Sequence, residues 1–172
     1  MKSAKIAFGE FEKLLIAFLC SVLAFLMFKL PVREFFSFLA VEVPFKGLAV
    51  VGGFTIVFWI SLAYRLCGKY YGIATALLVA SLCLIANPWF NIYTPEWFSI
   101  YGLISFLFLG ILTEKLNGGF GFSGFILVNW VALAIHHSIF FSPVLGAVFL
   151  VISFLSGLAG NKIAFFIVDR LA

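Results

Sequence analysis

The sequence predicts an all-α, polytopic membrane protein with six transmembrane helices and both termini in the cytoplasm. Of its 172 residues, 65% are hydrophobic and only 10% are charged, whereas an ordinary soluble domain is about a quarter charged. The few charges separate long apolar stretches, and a bilayer-spanning helix needs about 20 mostly apolar residues. We therefore expect residues 1–172 to form a single integral membrane domain, multi-pass in the cell membrane and surrounded by the lipid bilayer.

Prolines and charges mark where the spans end. Pro31 ends the first helix, because proline cannot continue a helix, and Arg65 ends the second. The Asn87-Pro88 break ends the third, and a charged pair ends the fourth. The uncharged stretch 116–161 is too long for one span, and Pro143 divides it. The predicted helices are 8–28, 47–64, 70–86, 97–113, 120–137 and 144–166.

Residues 31–46 are predicted to form a long outer loop. Charged residues surround the short apolar run 35–41, which is too short to cross a bilayer. With six spans, both termini lie on one side of the membrane. That side carries eight Lys and Arg residues against three on the other, so the positive-inside rule places it in the cytoplasm. The eight are Lys2, Lys5, Lys13, Arg65, Lys69, Lys115, Lys162 and Arg170, and the three are Lys29, Arg33 and Lys46.

Several function classes are disfavoured by what the sequence lacks. The glycines of 118–124 have no following Lys-Ser/Thr, so the chain cannot itself hydrolyse ATP by the P-loop mechanism. The dispersed +4 charge forms no basic stripe for nucleic acid. Cys20, Cys67 and Cys83 have no C-x-x-C spacing and are interpreted as small hydrophobic residues. Without a midplane cluster of Asp, Glu or His, we expect no enzymatic activity and no cofactor.

Aromatic and polar residues concentrate in the outer half of the chain. Trp97 and Tyr101 share one face of the fourth helix, and Asn129 and His136 share one face of the fifth. Pockets for small ligands combine aromatic walls with a few placed polar groups. The predicted substrate-binding residues are Trp89, Asn91, Trp97, Tyr101, Asn129 and His136.

These residues also have plainer interpretations, which the sequence leaves open. Trp and Tyr form an interfacial belt in any membrane protein, and Asn129 could bind a neighbouring helix instead of a ligand. His136 and His137 diverge by about 100° on a helix, so both rings cannot ligate one ion unless the helix has ended there. We expect no metal site.

Small residues mark faces where helices can approach closely. Ala17-x-x-x-Ser21 lies in the first helix, and Ser153-x-x-x-Gly157 and Ser156-x-x-x-Gly160 lie in the sixth. Such faces permit backbone contact between helices. Packing within the chain explains most patterns of this kind, and docking of a partner helix is the alternative.

The chain resembles the substrate-binding S components of energy-coupling factor (ECF) transporters. The resemblance rests on size, on six helices with a long first outer loop, and on three motifs. These are Arg65-Leu-Cys-Gly-Lys-Tyr-Tyr-Gly72, Tyr-Gly-Leu-Ile-x5-Gly-x3-Glu-Lys over 101–115, and Gly157-Leu-Ala-Gly-Asn-Lys162. It implies high-affinity capture of a vitamin, a vitamin precursor or a metal ion from outside the cell.

The resemblance also implies partners and docking residues. S components dock on a membrane T component that two ABC-type ATPases drive, which agrees with the missing P-loop. The family's Ala-x-x-x-Ala docking face corresponds to Ala17 and Ser21, where serine replaces the second alanine. Cobalt and nickel members begin with Met-His, whereas this chain begins with Met1-Lys2, so an organic micronutrient is the expected substrate. The main alternative is a non-transport membrane scaffold similar to the cell-shape protein MreD, and a small intramembrane enzyme is the weaker one.

The orientation is testable by topology mapping. Because the Lys and Arg count is eight to three, a reporter fused after Ala172 should be cytoplasmic, and a cysteine label at Asn91 should react from outside. A label in the loop at Lys115 serves as the control and should be protected. Labelling of the Lys115 loop from outside would contradict the orientation.

Overall fold

The computed structural model describes residues 8–27, 48–86, 95–138, 140 and 142–171. The side chains of residues 48, 86, 95–100, 137 and 171 are outside this description, as are Trp89 and Asn91 and the predicted outer loop 31–46.

The all-α class is confirmed, because the described residues form helices with short connections and no strand. Six α-helices follow the predicted order, and a five-residue π-helical turn, Leu48–Gly52, leads into the second. The six are α1 (Glu10–Met27), α2 (Gly53–Cys67), α3 (Tyr71–Ala86), α4 (Pro95–Lys115), α5 (Gly118–His137) and α6 (Pro143–Leu171).

Helix α6 is longer than the sequence analysis predicts, since it ends at Leu171 instead of residue 166. No proline or glycine follows Gly160 to stop it. Lys162, Asp169 and Arg170 occupy exposed positions, so the helix continues beyond its apolar part at no cost in buried charge.

The helices expose much apolar surface. Three helical segments of the described chain are long and apolar enough to cross a membrane: Ala49–Cys67, Gly118–His136 and Pro143–Arg170. Large side chains such as Phe11 and Ile85, which are 78% and 84% exposed, lie on the outside of the bundle. A soluble monomer rarely exposes so much apolar surface. The helices are therefore compatible with a membrane protein.

Helices α2 and α6 pack against each other in parallel. Helices joined by a short connection are antiparallel, so this contact joins helices that are not consecutive in the chain. Hydrogen bonds join them in the same order along both helices: Phe54 to Ser156, Asn161 to Ser61, and Arg65 to Asp169. Helix α5 packs against both α4 and α6, and α1 packs against α2 and α3. The order of these contacts agrees with helices that run alternately up and down.

Three helices meet at glycines, in a cluster that we call the glycine junction: Gly53 of α2, Gly118 of α5, and Gly157 and Gly160 of α6. A Cβ atom on Gly53 would lie 2.6 Å from the backbone nitrogen of Gly157, and one on Gly118 would lie 2.6 Å from the Gly157 oxygen. A Cβ on Gly160 would lie 2.6 Å from the oxygen of Phe54. Real Cβ atoms do not approach other atoms this closely, so the three backbones touch only because these residues have no side chain.

Aromatic rings fill the space next to the glycine junction. Phe106, Phe122 and Phe125 are fully buried. The Phe122 and Phe125 rings are stacked with centroids 5.7 Å apart, and Phe106 meets Phe125 edge to face at 4.9 Å. Offset and edge-to-face pairs of this kind are the favoured aromatic geometries, so the rings hold α4 and α5 together at the core.

The glycine junction can be tested by adding one methyl group. Gly157→Ala should lower the free energy of unfolding by about 1–3 kcal/mol, because the new methyl meets the Gly118 backbone and neither helix can yield without separating. Thermal unfolding of the purified protein in detergent measures the effect. Gly124→Ala is the control, because its methyl would meet only the flexible end of Leu112. Equal stability of the two variants would contradict the junction.

Candidate ligand-binding site

The described side chains with charge gather at one end of the bundle, which we call the charged end. It contains the start of α1, the α2–α3 and α4–α5 turns, and the end of α6. Its charged residues are Glu10, Glu12, Lys13, Arg65, Lys69, Glu114, Lys115, Lys162, Asp169 and Arg170. Arg65 and Asp169 form an exposed salt bridge of 2.8 Å, and the Arg65 guanidinium also lies 5.0 Å from the centre of the Phe165 ring. This pair ties the ends of α2 and α6 together.

Glu114 fixes the turn between α2 and α3. Its two carboxylate oxygens accept hydrogen bonds from the backbone nitrogens of Tyr70 and Ile73, each at 3.0 Å. Gly68 and Tyr70 in this turn have φ of +98° and +76°, a left-handed backbone that costs a residue with a side chain energy. The carboxylate also lies at the positive end of the α3 dipole. The two bonds therefore hold a strained turn against the end of α4.

This role of Glu114 is not predicted from the sequence, in which Glu114 and Lys115 only mark the end of the fourth helix. One signal was available, because a carboxylate in the last turn of a helix is disfavoured by the dipole of that helix. Its presence there indicates a partner elsewhere, which is the start of α3.

Helix α1 also contributes contacts to the charged end. The Tyr71 hydroxyl donates to Glu10 at 3.0 Å, and Glu10 also accepts from Lys13 at 2.6 Å. The Cys67 thiol lies 3.6 Å from the Lys13 carbonyl oxygen. These contacts bring the start of α1 to the same turn that Glu114 holds.

The opposite end of the bundle presents an aromatic pair. The rings of Tyr101 on α4 and His136 on α5 meet edge to face with centroids 4.9 Å apart. Tyr101 is half-buried and packs against the core, whereas His136 is exposed. Two of the six predicted binding residues are thus brought together. Both side chains can donate and accept hydrogen bonds, so this end can bind a polar or aromatic molecule.

Asn129 lies deeper on α5. It is seven residues before His136, which is about 10 Å along a helix, and only 2% of its surface is exposed. Its side-chain nitrogen donates to the Phe125 carbonyl oxygen of its own helix at 2.8 Å. The described contact is therefore local. The neighbouring Trp130 belongs to the buried core.

The structure describes no side-chain contacts for the remaining predicted binding residues. Trp97 lies on α4 one turn before Tyr101, which keeps it on the predicted helix face, but its side chain is outside the description. Trp89 and Asn91 lie outside the described residues altogether.

The predicted docking residues are covered by the chain itself. Ala17 and Ser21 are 1% and 0% exposed, and α1 packs against α2 and α3. The Ser21 hydroxyl donates to the Phe18 carbonyl oxygen at 2.7 Å. Packing within the chain therefore accounts for these small side chains, and the docking role stays a prediction.

The opposite end offers aromatic rings and hydrogen-bonding groups. In the described parts of the chain, no three His, Cys, Asp or Glu side chains come together as metal ligands. All three cysteines are buried. Comparisons of the chain with protein-family models, with curated proteins and with solved structures find no match. The resemblance to ECF S components thus stays a prediction.

The local contact of Asn129 predicts that the residue is dispensable for stability. Asn129→Leu should change the free energy of unfolding by less than about 1 kcal/mol, since the described bond of Asn129 lies within one helix. Ser61→Ala is the matched control, because it strands the buried Asn161 amide that donates to Ser61 from α6 at 2.8 Å. It should cost about 1–3 kcal/mol. Thermal unfolding in detergent measures both, and an equal loss would assign Asn129 to interhelical packing.

Proposed function

We propose that this chain is a membrane-embedded binding subunit that captures a small organic micronutrient, a vitamin or its precursor, from outside the cell. The observation that carries the proposal is the pairing of Tyr101 with His136 at the end of the bundle opposite the charged residues. An aromatic wall next to hydrogen-bonding groups is the usual composition of a small-molecule site.

The proposed topology has six membrane spans with both termini in the cytoplasm. The gathering of Lys and Arg at the charged end supports it, because positive residues are retained on the cytoplasmic side. The parallel packing of α2 and α6 supports it too, since the second and sixth of six alternating spans run in the same direction. The Tyr101–His136 pair then faces the outside.

In the proposed site, ring stacking and hydrogen bonding both contribute to ligand affinity. A planar ligand on Trp97 or Tyr101 gains about 0.5–1.5 kcal/mol from ring geometry beyond its burial. His136 is exposed and free to donate to such a ligand. Asn129 serves as a deeper polar contact whose amide would turn from the Phe125 carbonyl toward the ligand.

Import requires energy from partners, because the sequence contains no P-loop. We propose a membrane T component and two ABC ATPase subunits for this role. Docking through Ala17 and Ser21 requires α1 to move away from α2 and α3, which now cover both residues. Bulky replacements at either position should therefore impair folding as well as transport if the packing role dominates.

The binding proposal is tested first by identifying what the protein carries. Purified protein is examined by native mass spectrometry for a tightly bound small molecule, and tryptophan fluorescence is used to titrate the molecule identified. Trp97→Ala, Asn129→Ala and His136→Ala should each weaken binding by about tenfold, the ratio expected for one lost stacking or hydrogen-bonding contact.

The control is Phe140→Ala, an aromatic residue 78% exposed near the same end and outside the ring pair. It should leave the affinity unchanged. Unchanged affinity in all three site variants would place the pocket elsewhere and return the aromatic residues to an interfacial belt. Purification without any small molecule, and no quenching by vitamins, would favour the scaffold alternative.

A further inference from the structure

Where the π-helical turn Leu48–Gly52 meets α2, a side chain of another helix bonds two backbone groups. The hydroxyl of Ser156 on α6 donates to the Val50 carbonyl oxygen at 2.6 Å and accepts from the Phe54 nitrogen at 2.9 Å. In a regular α-helix these two backbone groups would bond each other. A side chain from another helix therefore stands in the place of one helical hydrogen bond.

The next two backbone carbonyls also contact a side-chain hydroxyl. The hydroxyl of Thr55 lies 3.1 Å from the Val51 oxygen and 3.3 Å from the Gly52 oxygen. Three successive carbonyls of the junction, at residues 50, 51 and 52, thus contact hydroxyl groups. Hydroxyls supply bonds that a π turn, with its displaced ladder, places off the regular α-helical line.

The backbone itself stays helical through the junction. Gly52 has φ −63° and ψ −36°, which are ordinary α-helical angles. The change from π to α geometry is therefore a change of hydrogen-bond register, with no break in the chain. A π turn holds one more residue than the α turn that replaces it, so a change of register moves the preceding residues by about 100° and 1.5 Å.

We propose that Leu48–Gly52 is a two-register hinge of the second helix and that Ser156 is its latch. In the register seen here, Ser156 bridges Val50 and Phe54, and the Ala49 side chain is fully buried in the core. In the other register, the Phe54 N–H returns to a backbone carbonyl and the rotation carries Ala49 out of the core. The hinge does not depend on which molecule the protein binds.

The surroundings suit a hinge at this point and nowhere later in α2. Two glycines, Gly52 and Gly53, sit at the change of register, where no Cβ atoms obstruct rotation. Gly53 and Phe54 already touch the backbone of α6 at Gly157 and Gly160, so the part of α2 beyond them is fixed. Movement is confined to the residues before Gly53.

Hydrogen exchange tests the latch in the full-length protein in detergent micelles. Ser156→Ala should speed amide exchange over residues 48–54 by about tenfold, because the bridge that holds this register is lost. Residues 58–67 of the same helix should exchange as in the unmodified protein. Ser156→Thr keeps a hydroxyl and should exchange more slowly than Ser156→Ala.

Ser153→Ala is the matched control. Ser153 is also buried on α6, one turn earlier, but its hydroxyl donates to Phe149 of its own helix at 2.7 Å. Exchange over 48–54 should not respond to it. An equal response to Ser153→Ala, or faster exchange along the whole of α2 in Ser156→Ala, would overturn the proposal and make Ser156 a general packing residue.

A deletion separates the latch from the fold. Removing Val51 takes out the extra residue of the π turn and should leave a continuous α-helix with a regular ladder. In that background Ser156→Ala should have no further effect on exchange over the shortened segment, since no amide depends on the hydroxyl. A full effect of Ser156→Ala in the deletion variant would overturn the hinge.

Discussion

Contact between helix backbones at the glycine junction is the constraint on which the rest of the structure depends. Gly53, Gly118 and Gly157 let α2, α5 and α6 touch without intervening side chains. In lipid, helices gain little from burying apolar surface against one another, so close packing and interhelical hydrogen bonds must hold them. The Ser156 bridge and the Asn161–Ser61 bond lie beside this contact, because only closely packed helices bring such short side chains within reach of each other.

The bundle divides its chemistry between its two ends. At the charged end, Glu114, Arg65 and Glu10 are used to hold turns and helix termini together. At the opposite end, the Tyr101–His136 pair presents an exposed imidazole beside an aromatic ring, while the core rings of Phe106 and Phe125 already join α4 and α5. The exposed imidazole is accessible to a ligand, which is the physical basis of the proposed binding role.

The sequence predicts the helices well, and it predicts residues of the candidate site but not their contacts across helices. Proline and charge positions locate five of the six helix ends to within a few residues, since an apolar span can end only where the chain reaches water or a helix-breaking residue.

The Tyr101–His136 pairing depends on which helices are neighbours, and the spacing of residues along one helix does not give that information. The π turn and the Ser156 bridge were beyond prediction because Leu48–Gly52 reads as an ordinary apolar helix start. The neighbour of the small-residue face formed by Ala17 and Ser21 could not be predicted either. Such a face has the same sequence whether it packs within the chain or against a partner.

The length of α6 has a consequence for how deeply the protein sits in a bilayer. Its 29 residues extend about 43 Å, whereas the hydrocarbon core is about 30 Å thick. The excess is at the charged end, where Lys162, Asp169 and Arg170 are exposed. If the hydrocarbon core ends near Lys162, the last turns of α6 extend beyond it as a short rigid segment, which the Arg65–Asp169 salt bridge joins to α2. Membrane thickness would then set the tilt of the whole bundle through this one helix.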